Sequence, residues 1–131
     1  MNEVSLIQQT DKFSEIILLG DFNENPDEQN IELLREVGLN SLMRTMIGEH
    51  GVGTYVSRGE DYFYDQIIVN NGLEDKKNLT LVHGSTYILD LPKYRQQEGK
   101  YKHFPFRFWD GNKLLGGYSD HLAIKVQITK N

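Results

Sequence analysis

The sequence of 131 residues contains no cysteine, only three prolines and a single tryptophan. Without cysteine, the chain cannot form a disulfide bridge, a thiolate zinc site or a cysteine nucleophile. It also lacks an apolar run of the roughly 18–20 residues that a membrane-spanning helix requires, and it begins without a basic and then apolar signal pattern. The sequence therefore predicts neither a disulfide-rich scaffold nor a thiol enzyme nor a membrane span.

Positive charge is the minority charge in this chain. It has 14 lysines and arginines against 19 aspartates and glutamates, which gives a formal net charge of -5. Non-specific nucleic-acid binding requires a basic surface, because its affinity comes from the counterions released when phosphates are neutralised. A nucleic-acid-binding module is therefore the weakest candidate function, although a metal-assisted site that contacts one phosphate at a time is compatible with this charge.

Strong helix formers are scarce as well. The only alanine is Ala123, whereas there are seven tyrosines, six phenylalanines and twelve glycines, a composition that favours strands and turns. The length, with 38% hydrophobic and 25% charged residues, suits one compact domain with an ordinary globular core.

Short apolar runs bounded by turn residues predict five strands, as is typical of strands buried in a sheet. Helical spacing of apolar residues predicts a short helix at 39–47, and the polar stretch 84–99 is predicted as a long loop with at most one helical turn. The predicted strands are residues 15–19, 54–56, 64–69, 79–82 and 123–128.

A longer helix is predicted between the first two strands. Asn25 has the residue type of an N-cap, and Pro26 suits the first helical position. Apolar residues from Ile31 to Val37 lie three positions apart and form one buried stripe. Gly38 then has the residue type that follows the last helical turn.

Polar residues able to do chemistry lie at the ends of three predicted strands: Asp21 and Asn23 after the first, Asp65 at the head of the third, and Asp120 and His121 before the last. Loops at strand ends hold reactive groups on a rigid scaffold. Carboxylates suit magnesium, and an imidazole beside a carboxylate suits proton transfer or contact with phosphate. The same residues also form ordinary turns, since Asp and Asn bond their own backbone there. Their recurrence at three strand ends favours the functional interpretation.

The three clusters form the motifs Gly-Asp-Phe-Asn at 20–23, Tyr-Asp-Gln-Ile at 64–67 and Tyr-Ser-Asp-His at 118–121. In this order they resemble the endonuclease/exonuclease/phosphatase superfamily, which includes pancreatic-type deoxyribonucleases, apurinic-site endonucleases, sphingomyelinases and inositol polyphosphate 5-phosphatases. Residues 104–108, together with Gly116 and Gly117, look most like uncharacterised bacterial members. The resemblance extends from about Ile16 to Ile128.

This resemblance implies an α+β fold: half of a four-layer α/β-sandwich of the deoxyribonuclease type, with a mainly antiparallel sheet and flanking helices. It implies that residues 1–131 form the C-terminal portion of such a domain. It also implies a metal-dependent phosphoester hydrolase, a phosphodiesterase, nuclease or phosphatase, with Mg²⁺ or Mn²⁺ as cofactor. The implied partner is a phosphate-ester substrate, with nucleic acid among the options.

The resemblance also implies a role for each residue that matches a motif. Asp21 orients or deprotonates the attacking water, and Asn23 holds the substrate phosphate. Asp120 lies beside the metal. His121 contacts the phosphate and assists proton transfer, while Asp65 fixes and charges its ring.

Other polar and aromatic residues are weaker candidates for the site. Arg107 is a candidate phosphate ligand, because its guanidinium fork matches a phosphate group. The nearby aromatics Phe106, Phe108 and Trp109 could stack a base, although such clusters more often pack. The histidines at 50, 83 and 103 have no ligand spacing and are predicted to be solvated or structural.

The resemblance fails at the N-terminal end. Family members supply a first-strand asparagine, a metal-binding glutamate and a second histidine from an N-terminal half, and Glu3, Glu15 and the Gln8-Gln9 pair offer no matching context. We therefore expect the missing half, or a second copy of the chain, as a partner. The alternative is a non-catalytic remnant that self-associates or binds a partner through an exposed sheet.

Overall fold

The computed structural model describes residues 3–11, 14–48 and 52–131. It contains two α-helices and eleven short strands, with 3-10 helices at Leu42–Met46, Asn71–Leu73 and Pro92–Tyr94 among its described residues. In chain order the helices and strands are α1 Glu3–Thr10, β1 Ile17–Asp21, α2 Gln29–Glu36, β2 Leu39–Ser41, β3 Tyr55–Ser57, β4 Glu60–Tyr62, β5 Asp65–Asn70, β6 Leu79–Leu81, β7 Tyr87–Ile88, β8 Trp109–Asp110, β9 Lys113–Leu114, β10 Ile124–Lys125 and β11 Ile128–Lys130.

The central sheet has the strand order β1-β5-β2. Both neighbours run antiparallel to β5, with Ile17 opposite Val69 in β1 and Leu39 opposite Asn70 in β2. Four two-stranded ribbons complete the sheets: β3 with β4, β6 with β11, β7 with β10 and β8 with β9. All of these pairings are antiparallel, which confirms the predicted α+β class with mainly antiparallel sheets.

Strand β5 is buried on both faces, and two cores form against it. On one face, Ile68 packs with Leu39 and with Ile31 of α2. On the other face, Ile67 and Val69 pack with residues of β6 and β11. A strand buried on both faces carries a continuous apolar run, here residues 67–69, and this run supports the strand predicted at 64–69.

A third core lies below the candidate site. It is built from Met43, Met46, Phe63, Ile88 and Leu122, all of them buried. Leu122 directly follows His121, so this core anchors the segment that carries the histidine. Truncating a buried leucine to alanine typically lowers the free energy of unfolding by about 2–5 kcal/mol, which indicates how firmly such an anchor holds.

The helix prediction was correct in its C-terminal boundary and wrong at its start. Gly38 has a φ of +82° and donates to the carbonyl of Arg35, as expected of the residue after a helix. The helix begins only at Gln29, with Glu28 as the N-cap residue. Asn25 is not the cap, because its side-chain oxygen accepts a hydrogen bond from the amide of Phe63 at 2.8 Å.

Two further predictions were wrong in detail. A short helix was expected at residues 39–47, and Leu42–Met46 do form a 3-10 helix, but the first three residues form β2, since pairing with β5 overrides local helical spacing. The strand predicted at 123–128 divides into β10 and β11, which pair with different strands, β7 and β6. Helix α1 and strands β4, β7, β8 and β9 were not predicted.

Candidate active site

The register of β1 and β5 brings two of the predicted site residues together. Asp21, the last residue of β1, lies directly opposite Asp65, the first residue of β5. Residues paired in this way project from the same face of a sheet, with Cβ atoms about 4.5–5.5 Å apart. Two carboxylates distant in sequence are therefore neighbours at one end of the central sheet.

His121 is joined to the same end of the sheet through Asp65. The Nδ1 atom of His121 lies 2.7 Å from Oδ2 of Asp65, and the two side chains are 23% and 19% exposed. An ionised carboxylate can only accept a hydrogen bond, so Nδ1 carries the shared proton. The other ring nitrogen, Nε2, is thereby left for a ligand or for proton transfer.

Strand β3 and the residue before it position His121. The ring of Tyr55 stacks on the His121 ring with centroids 4.8 Å apart, and the two residues form an antiparallel backbone bridge. The amide of Leu122 donates to the carbonyl of Thr54 at 2.7 Å. Asp65 fixes the imidazole at one edge and Tyr55 packs on its face, so ring rotation is restricted on both sides.

Thr54 connects Asp65 to the rest of the site. Its side chain is fully buried, and its hydroxyl accepts a hydrogen bond from the amide of Asp65 at 3.3 Å. The same hydroxyl donates to the carbonyl of Tyr62 at 3.4 Å. One buried hydroxyl therefore links β3, β4 and the beginning of β5. Sequence reasoning missed Thr54, because a threonine at the start of a strand gives no distinctive signal.

A close backbone approach fixes the loop that carries Asp120 and His121. The amide of Tyr118 donates to the carbonyl of Phe106 at 2.7 Å, and that of Gly117 donates to the carbonyl of Arg107 at 3.2 Å. A Cβ atom on Gly117 would lie 2.0 Å from the Phe106 carbonyl oxygen. Only glycine fits there, which explains Gly117, the second glycine of the pair that precedes the Tyr-Ser-Asp-His motif.

The loop after β1 is held by side chains as well as by its own turn. The amide of Asn23 donates to Oδ1 of Asp21 at 2.9 Å, with Asn23 at a φ of +53°. This is the ordinary turn chemistry expected of the sequence. Fully buried Gln66 adds a second anchor, since its side-chain amide donates to the carbonyls of Glu24 and Phe63. Gln66 was not singled out from the sequence, because it follows Asp65 at the polar start of the strand and precedes the apolar run 67–69.

Asn23, Asp120 and His121 meet at one open cavity of about 450 Å³. Neither Asp65, which contacts His121, nor Asp21, which is exposed at the end of β1, is among the residues that line it. Three tyrosines, a serine and an arginine that were not predicted complete the lining: Tyr55, Tyr62, Tyr64, Ser57 and Arg58.

Two of the tyrosines in the cavity wall have raised pKa values. Burial raises the pKa of Tyr64, and Glu28, Tyr55 and Asp21 act in the same direction. The pKa of Tyr62 is raised chiefly by its hydrogen bond to Glu60. Both phenols are therefore neutral at physiological pH, where a tyrosine hydroxyl can donate a hydrogen bond.

Arg107 is not brought to this cavity. Its guanidinium lies over the ring of Tyr101, 4.6 Å from the centroid, and its Nε atom is buried without a hydrogen-bond partner. Phe108 and Trp109 pack edge to face with centroids 5.6 Å apart and are half exposed, away from the cavity. His103 lines a different cavity, His83 is exposed in a turn, and the histidine at position 50 lies outside the described residues.

Comparison with known proteins gives a family match. The sequence model of the endonuclease/exonuclease/phosphatase family matches residues 2–130 of the chain. The chain belongs to the endonuclease/exonuclease/phosphatase family. Members of the family are hydrolases of phosphate esters in general, and they usually use divalent metal ions. No curated protein and no solved structure is significantly similar to the chain.

The donors available to a metal are few for a member of this family. Within the described ranges, no three acidic or histidine side chains are grouped so that they could hold an ion. Asp120 is the one carboxylate on the cavity wall among the lining residues. Magnesium is commonly bound through one or two carboxylates, with waters and substrate oxygens as its remaining ligands. The donor set therefore fits a magnesium ion shared with substrate, and it does not fit an all-protein cage.

Glu15 is not a ligand in this arrangement. Its Oε1 atom accepts a hydrogen bond from the amide of Leu79 at 2.6 Å. Glu15 lies just before β1, at the opposite end of the strand from Asp21. Its role is therefore to tie β6 to the beginning of β1. Glu3 lies in α1 and lines a surface pocket beside Ile17, also at the far end of the strand.

Proposed function

We propose that the chain is the part of a metal-dependent phosphoester hydrolase that carries the catalytic histidine, with a phosphodiesterase, nuclease or phosphatase activity. The observation that carries this proposal is the 2.7 Å contact between His121 and Asp65, beside a cavity that Asn23 and Asp120 also line. Membership of the endonuclease/exonuclease/phosphatase family supports the same reaction class.

In the proposed reaction a water oxygen attacks the phosphorus atom and the ester P–O bond breaks, with no covalent intermediate. Asp21 orients the water and accepts its proton. Asn23 holds a non-bridging oxygen of the phosphate. His121 contacts the phosphate through Nε2 and donates the proton of that nitrogen to the leaving ester oxygen, while Asp65 keeps the imidazole protonated at Nδ1.

Asp120 is the proposed ligand of Mg²⁺ or Mn²⁺. When bound, such an ion supplies Lewis-acid stabilisation of the charge that develops on the phosphate oxygens. The part of the chain described by the structure contributes the orientation of His121, the placement of Asn23 and the carboxylate of Asp120.

Hydrolysis of bis-(4-nitrophenyl) phosphate with Mg²⁺ or Mn²⁺ tests this function. Positioned acid–base groups typically contribute about 10²- to 10⁴-fold to the rate, so we expect His121→Ala to lower kcat/KM by at least about a hundredfold. His83→Ala, which changes an exposed histidine in a turn, is the matched control and keeps the wild-type rate. Equal turnover by wild type and His121→Ala removes His121 from the mechanism.

A second candidate function, a half-domain that binds a partner, is favoured by the exposed face of β1. Ile17 and Leu19 lie opposite the buried Val69 and Ile67 on the same sheet face, yet they are 39% and 67% exposed. The outer edge of β1 is unpaired among the described residues. We propose that this chain is the C-terminal portion of the family domain. In the complete domain, the N-terminal portion covers this face of β1 and supplies the further metal ligand beside Asp21.

Sedimentation of wild type and Leu19→Thr tests that surface. Threonine retains strand propensity and removes most of the apolar area. We expect wild type to self-associate as its concentration rises, because an exposed apolar face with a free strand edge promotes association, and we expect the variant to associate less. A wild-type chain that stays monomeric at every concentration contradicts this candidate.

A further inference from the structure

The hairpin formed by β3 and β4 forms one wall of the cavity. Its register pairs Tyr55 with Tyr62 and Ser57 with Glu60, so Arg58 and Gly59 are the two residues of the turn. Side chains alternate across a strand, and Tyr55, Ser57 and Tyr62 accordingly share the face that lines the cavity. The hairpin tip thus lies beside the candidate active site.

Arg58 occupies an unusual backbone conformation for its residue type. Its φ is +51° and that of Gly59 is +83°, as a type I′ turn with two positive φ angles requires. Asparagine, aspartate and glycine are the residues that normally occupy the first of these positions. A long side chain held in a disfavoured conformation is an observation from which a functional hypothesis can be drawn.

Arg58 makes no ion pair within the described ranges. Two other arginines, Arg35 and Arg44, pair with Glu32, and Arg95 pairs with Asp90. Arg58 instead lines the cavity, where its charge lowers the pKa of Tyr62 against the stronger effect of Glu60. A cation facing an open cavity is suited to an anionic ligand.

We propose that Arg58 forms a second anion subsite, which binds the phosphate next to the one that is hydrolysed. This inference rests on the proposed function and specifies its substrate class: a phosphate ester that carries a second phosphate. Tyr55 is bridged to His121, and Ser57 lies two strand positions later, roughly 7 Å along β3 at about 3.3 Å per residue, with Arg58 directly after it in the turn. The guanidinium fork of arginine matches phosphate geometry.

Isothermal titration in metal-free buffer tests the subsite without hydrolysis. The probes are thymidine 3′,5′-bisphosphate and thymidine 5′-monophosphate, and the variant is Arg58→Asn. Asparagine suits the turn better than arginine, so the variant is expected to fold with a melting temperature no lower than that of wild type. Arg35→Ala, an exposed arginine on α2, is the matched control.

We expect wild type to bind the bisphosphate at least about tenfold more tightly than the monophosphate, because an arginine–phosphate pair is a charge-assisted bidentate contact. Arg58→Asn should reduce this ratio to within about twofold, whereas Arg35→Ala should leave it unchanged. A parallel titration with inositol 1,4-bisphosphate distinguishes the source of the second phosphate. If only the thymidine bisphosphate binds more tightly than the monophosphate, the result indicates a nucleic-acid strand. If inositol 1,4-bisphosphate also binds more tightly than the monophosphate, the result indicates bisphosphate esters in general.

Two results overturn the inference in different ways. If the monophosphate binds and His121→Ala abolishes that binding, but the bisphosphate binds no more tightly, the subsite is wrong and the proposed function stands. If wild type binds neither thymidine compound, either in metal-free buffer or after Mg²⁺ is added, the cavity is not a phosphate site, and the subsite and the proposed function fail together.

Discussion

Asp21 and Asp65 lie directly opposite each other at one end of the antiparallel pair β1–β5. Each carboxylate has one partner of its own, since Asp21 accepts from the amide of Asn23 and Asp65 accepts from His121. Like charges directly opposite each other destabilise a sheet. This end of the sheet is therefore arranged for a function at some expense of stability.

Asp21→Asn is accordingly expected to stabilise the protein and to lower its activity. Removing one of two facing charges should raise the free energy of unfolding by about 0.2–1 kcal/mol, while the asparagine oxygen still accepts from Asn23. Urea denaturation and hydrolysis of bis-(4-nitrophenyl) phosphate measure the two effects. Asp75→Asn is the control, because Asp75 makes the same local bond, to the amide of Lys77, outside the strands. A stability loss in Asp21→Asn contradicts the repulsion.

Asp65 and His121 should act as one unit in hydrolysis. We expect Asp65→Asn to lower kcat/KM, since a neutral asparagine does not stabilise the protonated imidazole of His121 as the charged carboxylate of Asp65 does. Residues that act together are non-additive, so the double variant Asp65→Asn/His121→Ala should be no slower than His121→Ala alone, within about threefold. Multiplicative losses in this cycle indicate that the two side chains act independently.

The hydroxyl of Thr54 should matter more than its methyl group. Thr54→Val keeps the shape but leaves the amide of Asp65 without its buried partner, which typically costs about 1–3 kcal/mol of stability. Thr54→Ser retains the hydroxyl and should restore most of the activity lost in Thr54→Val. If the valine and serine variants are equally active, the hydroxyl of Thr54 does not position Asp65 for catalysis.

Elements whose residue types are constrained by local structure could be predicted from the sequence. The apolar run 67–69 of β5 and the positive-φ position of Gly38 were both predictable, as were the three polar clusters near strand ends. Strand β2 was not, because its conformation is set by hydrogen bonds to β5 that no local pattern encodes. Arg58 could not be identified from the sequence either, because its proximity to His121 depends on the backbone pairing of Tyr55 with both Tyr62 and His121.

Gly117 should be intolerant of a side chain, and Gly116 should be less so. An alanine Cβ at position 117 meets the carbonyls of Phe106 and Arg107, at 2.0 and 2.5 Å, so the loop carrying Asp120 must shift. Gly116 has open space around its Cβ position but a φ of +78°, which costs an L-residue about 1–2 kcal/mol. Thermal denaturation should therefore rank Gly117→Ala below Gly116→Ala, and the reverse order contradicts the close approach of the two segments.

Alkaline titration should reveal the environment of Tyr64. Its pKa is raised, first by burial and then by Glu28, Tyr55 and Asp21, so the folded state favours the neutral phenol. The associated stability is fully present below the unfolded-state pKa of about 10 and is lost as pH rises through the higher folded-state value.

Tyr64→Phe has no phenol to ionise, so its stability should fall less steeply than that of wild type above about pH 10. Ultraviolet absorbance of tyrosinate in the folded protein should also lose a late-titrating component in this variant. Tyr87→Phe, at a more exposed position in β7, is the control and should leave that late component in place. If the absorbance lost in Tyr64→Phe belongs instead to the earliest-titrating tyrosines, Tyr64 is solvated and does not form part of a desolvated cavity wall.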